Sequence, residues 1–131
     1  MKFYHIKDDF ITFLRQFDQK VPDNKNESRP YVGVVLEIET IKYYAPFTSP
    51  KLKHKKMKNG KDFRKINNGI YGLLQNQYNY IKADESAILR TAENLRKMIF
   101  ENENDLSEHD KIIKQRCCNL PLLEKKYCEY Q

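Results

Sequence analysis

Apolar residues in the first half of the chain fall in short β-branched and aromatic runs, and in the second half at three- and four-residue spacing. Lys2 to Ile6 predicts a short strand, and Asp8 stands where an N-cap would open a helix to about Phe17. Phe10, Phe13, Leu14 and Phe17 share helical spacing and are expected to face the core. Val21-Pro22 closes that helix, and residues 23–28 are a polar loop. Tyr31 to Ile38 and Ile41 to Phe47 are dense in Val, Ile and Tyr around a polar turn and predict a hairpin. Pro46 and Pro50 end the second strand, because proline donates no N–H to a ladder, and the Lys-rich stretch beyond is expected to be a loop. Ile66 to Gly72 is a weaker strand candidate.

From Leu73 the periodicity becomes helical. Leu74, Tyr78 and Ile81 share one face, and Ile88, Ala92, Leu95 and Ile99 form a stripe on a second helix. Ser107 is placed to cap a third, to about Gln115, and Pro121 suits the first position of a terminal helix. Strands first and helices after predict an α+β fold, and 131 residues suit a single domain spanning 1–131. Nine Tyr and seven Phe supply enough bulky apolar surface for a core despite the 32% charged residues. No apolar run approaches the roughly 20 residues of a membrane-spanning helix, and the Met1–His5 opening lacks a secretory apolar region, so a cytoplasmic protein without membrane contact is expected.

Chemistry narrows the picture further. Cys117 and Cys118 are adjacent and Cys128 stands apart, which favours reduced thiols over a disulfide framework. His5, His54 and His109 are far apart and no Cys-x-x-Cys or His-x-x-x-His occurs, so no metal site is expected. Glycine-rich phosphate loops are absent, and no cofactor is expected. Charge is concentrated: Lys51, Lys53, Lys55, Lys56, Lys58, Lys61, Arg64 and Lys65 stand against Asp62 alone, giving +7 in a chain of net charge +6. A local excess of this kind reads as a polyanion-facing segment. Thr48 and Ser49, directly before it, add hydroxyls, and His54 adds an imidazole.

Cleaving RNA without a metal requires a base for the 2′-hydroxyl proton, an acid for the departing 5′-oxygen, and donors or cations on the phosphorane. Thr48, Ser49, Lys51 and His54 include residue types for each task, and a lysine crowded by Lys53, Lys55 and Lys56 loses proton affinity. Lys51 as base with His54 as acid, and the reverse, both remain open. Taken alone, the same residues also fit a strand-ending turn followed by a solvated loop.

At these residues the chain resembles the endoribonuclease toxins of type III toxin–antitoxin systems, the ToxN, AbiQ and CptN-like proteins. The resemblance rests on Lys2-Phe3-Tyr4, Phe17-Asp18, Lys20-Val21, Arg29-Pro30-Tyr31-Val32-Gly33-Val34, Ala45-Pro46-Phe47-Thr48-Ser49-Pro50-Lys51 with His54, and Cys118-Asn119 with Leu122-Leu123-Glu124. It implies a metal-independent nuclease for single-stranded RNA that leaves 2′,3′-cyclic phosphate and 5′-hydroxyl ends, acting in phage defence by abortive infection. It also implies a compact, twisted antiparallel, barrel-like sheet similar to the Kid and MazF toxins, with peripheral helices and a helical C-terminal half. The implied partner is an RNA antitoxin, a repeat-derived pseudoknot that joins the toxin in a closed protein–RNA assembly. Carried onto this sequence, Thr48, Ser49 and Lys51 form the catalytic motif, with Arg29 at the family's basic position. His54 and Lys53 extend the phosphate loop, which continues through Lys55, Lys56, Lys58, Lys61, Arg64 and Lys65.

The chain departs from the family after Gly72. There the family runs on through further apolar strands, whereas Leu73-Leu74-Gln75 already resembles the helix, so a segment of a few dozen residues is absent. The alternative reading is a non-catalytic RNA-binding protein that uses the basic 51–65 loop with tyrosine stacking.

Overall fold

The computed structural model describes residues 1–47, 52–64 and 74–130, with the side chains of residue 55 and residues 74–78 outside that description. Strand β1 (Lys2–His5) leads into helix α1 (Asp8–Arg15), and after a long loop β2 (Pro30–Ile38) and β3 (Ile41–Pro46) form the expected hairpin. Helices α2 (Leu52–Lys56), α3 (Leu74–Ala83), α4 (Glu85–Phe100), α5 (Glu108–Arg116) and α6 (Leu120–Tyr127) follow. Among the described residues the sheet is antiparallel, three-stranded and open, in the order β1-β2-β3. The fold is therefore α+β.

β2 is the central strand and is covered on both faces. Tyr31 packs with Ile11 of α1, Val21, and Leu123 of α6, while Val32 and Val35 pack with Ile81 of α3 and Ile88 and Ala92 of α4. Val32 and Val35 reach the same face despite their odd spacing because the β2–β3 register shifts between Gly33 and Leu36. An irregularity of this kind resets the period-two alternation. Met98, Ile99, Leu106 and Ile113 form a further apolar cluster within the helical half.

Several sequence expectations need correction. Asp8 does not cap α1: Lys7 occupies the N-cap, and the Asp8 carboxylate instead accepts from Asn24 Nδ2 (2.7 Å) and the Glu27 amide (2.9 Å). The helix stops at Arg15, short of Phe17. Its buried face is Ile11, with Leu14 beside it; Phe10 and Phe13 instead stack on Tyr130, with ring centroids 5.0 and 5.3 Å away. The basic segment opens as a short helix, Leu52–Lys56, because lysine and leucine are good helix formers. The strand candidate Ile66–Gly72 lies outside the described residues.

Other signals hold. Ser107 Oγ accepts from the Asp110 amide (3.1 Å) at the start of α5. Asn119 caps α6, which begins at Leu120, so Pro121 takes the second helical position rather than the first. Among the described residues no helix is long and apolar enough to cross a membrane.

Candidate active site

Arg29, at the end of the loop that precedes β2, is held by two backbone carbonyls. Its Nε donates to the Asp23 carbonyl (2.7 Å) and its Nη1 to the Phe47 carbonyl (2.9 Å). The Phe47 amide in turn donates to the Pro30 carbonyl (3.0 Å), extending the β2–β3 pairing by one bond. One planar guanidinium thus spans the start of β2 and the exit of β3, a two-carbonyl grip that suits arginine and not lysine. Phe47 immediately precedes Thr48. Thr48, Ser49 and Lys51, with Lys65 further on, lie outside the described residues.

Downstream, His54 sits half-buried on α2 with its ring 5.4 Å from the Phe63 ring. Phe63 is brought back by a turn in which the Gly60 amide donates to the Phe63 carbonyl (2.8 Å). Lys53, Lys56 and Lys58 are exposed, and the Lys55 side chain is outside the description. The far end of the segment is held by the protein's own acids. Lys61 Nζ reaches Asp110 Oδ1 at 2.5 Å, and Arg64 makes a two-pronged pair with Asp84, one bond being 2.8 Å. Arg116 grips Asp62 through two bonds of 2.7 and 2.9 Å. The Arg64 guanidinium, hydrogen-bonded to Asp84, holds that carboxyl below the usual carboxylate range. Lys61 and Arg64 were expected to face RNA together with the other cations; in this conformation their charge is matched internally.

Sequence reasoning missed Asp84, Asp110 and Arg116, whose distance along the chain hides them. Asp62 was visible as the single acid in the basic run. The Tyr31 hydroxyl is buried with no hydrogen-bond partner among the described residues, and burial raises its pKa. Burial also pushes the Cys118 thiol up to about 11, so it is no nucleophile at neutral pH. Among the described residues no three His, Cys, Asp or Glu side chains gather as metal ligands.

Among the described residues, then, a three-stranded α+β core has its hairpin exit clamped by an arginine, and the cation-rich segment that follows in the sequence gives this end of the sheet the charge of a polyanion-facing protein. The family model for toxin ToxN of type III toxin–antitoxin systems matches residues 2–72 and 70–128, and the chain belongs to that family. It is 28% identical to endoribonuclease ToxN of Pectobacterium atrosepticum over 170 aligned positions, covering 99% of this chain and 94% of the relative. Against endoribonuclease ToxN of Bacillus thuringiensis subsp. kurstaki it is 30% identical, covering 99% and 84%. A solved structure from work on selective toxin inhibition by a non-coding RNA pseudoknot in type III systems superposes with a TM-score of 0.82. That pair is 26% identical, with 98% of this chain and 96% of the other covered.

The comparisons also locate the departure noted after Gly72. The 170 aligned positions exceed this chain's 131 residues by 39, so the Pectobacterium protein carries at least that many residues where this chain has none. The two matched segments of the family model meet at residues 70–72, at the predicted junction.

Proposed function

We propose that this chain is an endoribonuclease toxin of a type III toxin–antitoxin system, held inactive by an RNA pseudoknot. The observation that carries the reading is the Arg29 clamp on Phe47, directly before Thr48, Ser49 and Lys51, in a member of the ToxN family. Both full-length relatives are called endoribonucleases, and the superposed toxin is one inhibited by a pseudoknot RNA.

In the proposed reaction the 2′-oxygen of single-stranded RNA attacks the adjacent phosphorus as its proton passes to a base. The bond from phosphorus to the 5′-oxygen breaks, and an acid protonates that oxygen, leaving a 2′,3′-cyclic phosphate and a 5′-hydroxyl. Lys51 and His54 share the acid and base roles, in either order. Thr48 and Ser49 donate to the non-bridging oxygens. Arg29 acts chiefly by holding the strand exit, because two of its donors are already engaged by backbone carbonyls. No metal takes part in this scheme. Residues 1–131 work as one domain in the cytoplasm, within a closed protein–RNA assembly. The finer fold is a barrel-like Kid and MazF-type sheet; the register shift in β2 supports it, since such irregularities bend strands toward closure.

The test is incubation of the protein with a long single-stranded RNA in EDTA, with mapping of product ends. Expected are cyclic-phosphate and 5′-hydroxyl ends, lost in Ser49→Ala and Lys51→Ala. Binding without cleavage by the wild type would instead establish the non-catalytic RNA-binding reading, and cleavage surviving both substitutions would move the chemistry to other residues. The salt dependence of RNA affinity separates the cations. Each of Lys53→Gln, Lys56→Gln and Lys58→Gln should lower the log–log slope by about 0.7. Lys61→Gln, whose partner is Asp110, should lower it less.

A further inference from the structure

A polar cavity of about 400 Å³ opens between α1 and the loop after it, walled by Asp8, Thr12, Arg15, Gln19, Asp23 and Asn24. Its chemistry is lopsided. The Arg15 guanidinium is fixed, donating to the Val21 carbonyl and to Gln19 Oε1 (3.3 Å), while Gln19 Nε2 returns a bond to the Arg15 carbonyl (2.5 Å). Asn24 is only 3% exposed, and its Nδ2 is spent on the Ile6 carbonyl (2.6 Å) and Asp8 Oδ1 (2.7 Å). Its Oδ1 accepts from nothing among the described residues. A buried acceptor left in that condition costs about 1–3 kcal/mol. Among the described residues the Asp23 carboxylate takes only a long bond from the Lys25 amide (3.4 Å). The wall therefore offers one pinned, planar cation and a surplus of acceptors.

The backbone around it is strained. Lys25, Asn26 and Glu27 hold positive φ of 50°, 56° and 62°, a left-handed run that side chains disfavour. Reciprocal bonds between Asp8 and Glu27, each amide to the other's carboxylate at 3.0 and 2.9 Å, hold it in place. Strain retained in this way is a mark of functional loops. The cavity is also coupled to the candidate active site, because the Arg29 guanidinium that grips the Phe47 carbonyl grips the carbonyl of Asp23 as well.

A planar cation beside acceptor-rich walls matches a nucleobase carrying an exocyclic amine. The base stacks on the guanidinium, and its amine donates to the Asp8 and Asp23 carboxylates, with Asn24 behind them. Adenine, cytosine and guanine meet that requirement. Uracil, with two carbonyls and one ring N–H, turns acceptors toward acceptors. We propose that this cavity is the base-selecting subsite of the enzyme, seating an amine-bearing base of the RNA strand beside the scissile phosphate. This rests on the cleavage reading above for its place in the reaction, and on the cavity alone for its ligand.

Two measurements test it, one of them independent of cleavage. In the first, the ¹⁵N-labelled full chain is titrated with AMP, CMP, GMP and UMP, with inorganic phosphate as control. The Asn24 side-chain amide and Arg15 Nε signals should shift with the first three and stay still with UMP and phosphate. In the second, a randomised RNA pool is cleaved and the ends sequenced. Wild type should favour an amine-bearing base at one flanking position by about tenfold, and Asp23→Asn and Arg15→Lys should flatten that preference while the pool is still cut. Asp23→Asn keeps the shape of a side chain that supports little structure, so loss of folding is not the expected outcome. Equal shifts with UMP, or no shift at the two signals, would overturn the subsite. So would an unaltered preference in both variants. Nucleotide-specific shifts in a protein that cuts nothing would sink the cleavage reading and keep the pocket; cleavage with no shifts would do the reverse.

Discussion

One carboxylate ties β3 to two helices beside the apolar packing of β2, and removing it should be measurable. Glu124 on α6 accepts from Arg96 of α4 through two bonds of 2.8 and 3.0 Å and also from the Tyr43 hydroxyl on β3. The Arg96 and Glu124 side chains are 22% and 17% exposed, between a surface pair worth under about 1 kcal/mol and a buried one whose rupture costs about 3–5 kcal/mol. Glu124→Gln should therefore cost about 2 kcal/mol, a fall in Tm of roughly 6–10 °C at this chain length. Arg96→Met, which keeps an unbranched apolar stem near Phe100, should cost a similar amount. Urea unfolding of both single variants, the double variant and wild type, followed by circular dichroism, closes the cycle. A coupling energy near 1.5 kcal/mol is expected. Purely additive losses, with coupling below about 0.5 kcal/mol, would refute the view that this pair fastens β3 to α4 and α6.

Other perturbations have equally definite outcomes. A Cβ added at Gly33 would lie 2.2 Å from the Tyr44 ring, so Gly33→Ala should lower stability by about 1–3 kcal/mol, and Gly33→Ala with Tyr44→Ala should regain part of it in the same unfolding assay. Because Arg64 lowers the folded-state pKa of Asp84, the stability this pair contributes is complete above the unfolded carboxylate value near ~3.9 and disappears as pH falls through the lower folded value. The stability gap between wild type and Asp84→Asn should then be constant from neutral pH to about pH 5 and narrow below about pH 4, as read by urea midpoints. Iodoacetamide at pH 8 should label exposed Cys128 quickly and Cys118 far more slowly, by peptide mass mapping, since the latter thiol is half-buried and pushed up to about 11.

Much of this was legible in the residues. The hairpin showed because Val32, Val35 and Ile38 are β-branched and Pro46 falls where β3 ends. The α4 stripe showed because Ile88, Ala92, Leu95 and Ile99 keep helical spacing against two different clusters. Asp8 misled because an acid before a helix has two uses, and here tertiary bonds to Asn24 and Glu27 prevailed over capping. The Lys-rich segment was legible as charge but not as geometry. Pairs such as Lys61 with Asp110 and Arg116 with Asp62 join residues 49 and 54 positions apart, and no local pattern encodes them. The acceptor-rich cavity was hidden for the same reason, since residues 23–28 read only as a polar loop.

Those long-range pairs also bear on how such a protein is made. The ribosome delivers the basic segment well before Asp84, Asp110 and Arg116, its partners 20, 49 and 54 residues later. Throughout that interval the nascent chain lacks the groups that fix the segment's far end, and the α6 carboxylate that fastens β3 arrives later still. Chains fold from the N-terminus as they emerge, so the arrangement postpones fixing the segment's far end until α5 is free. On the ribosome, therefore, the cations at the far end of the segment stay in solvent and meet their acids only once Asp84 and α5 have emerged.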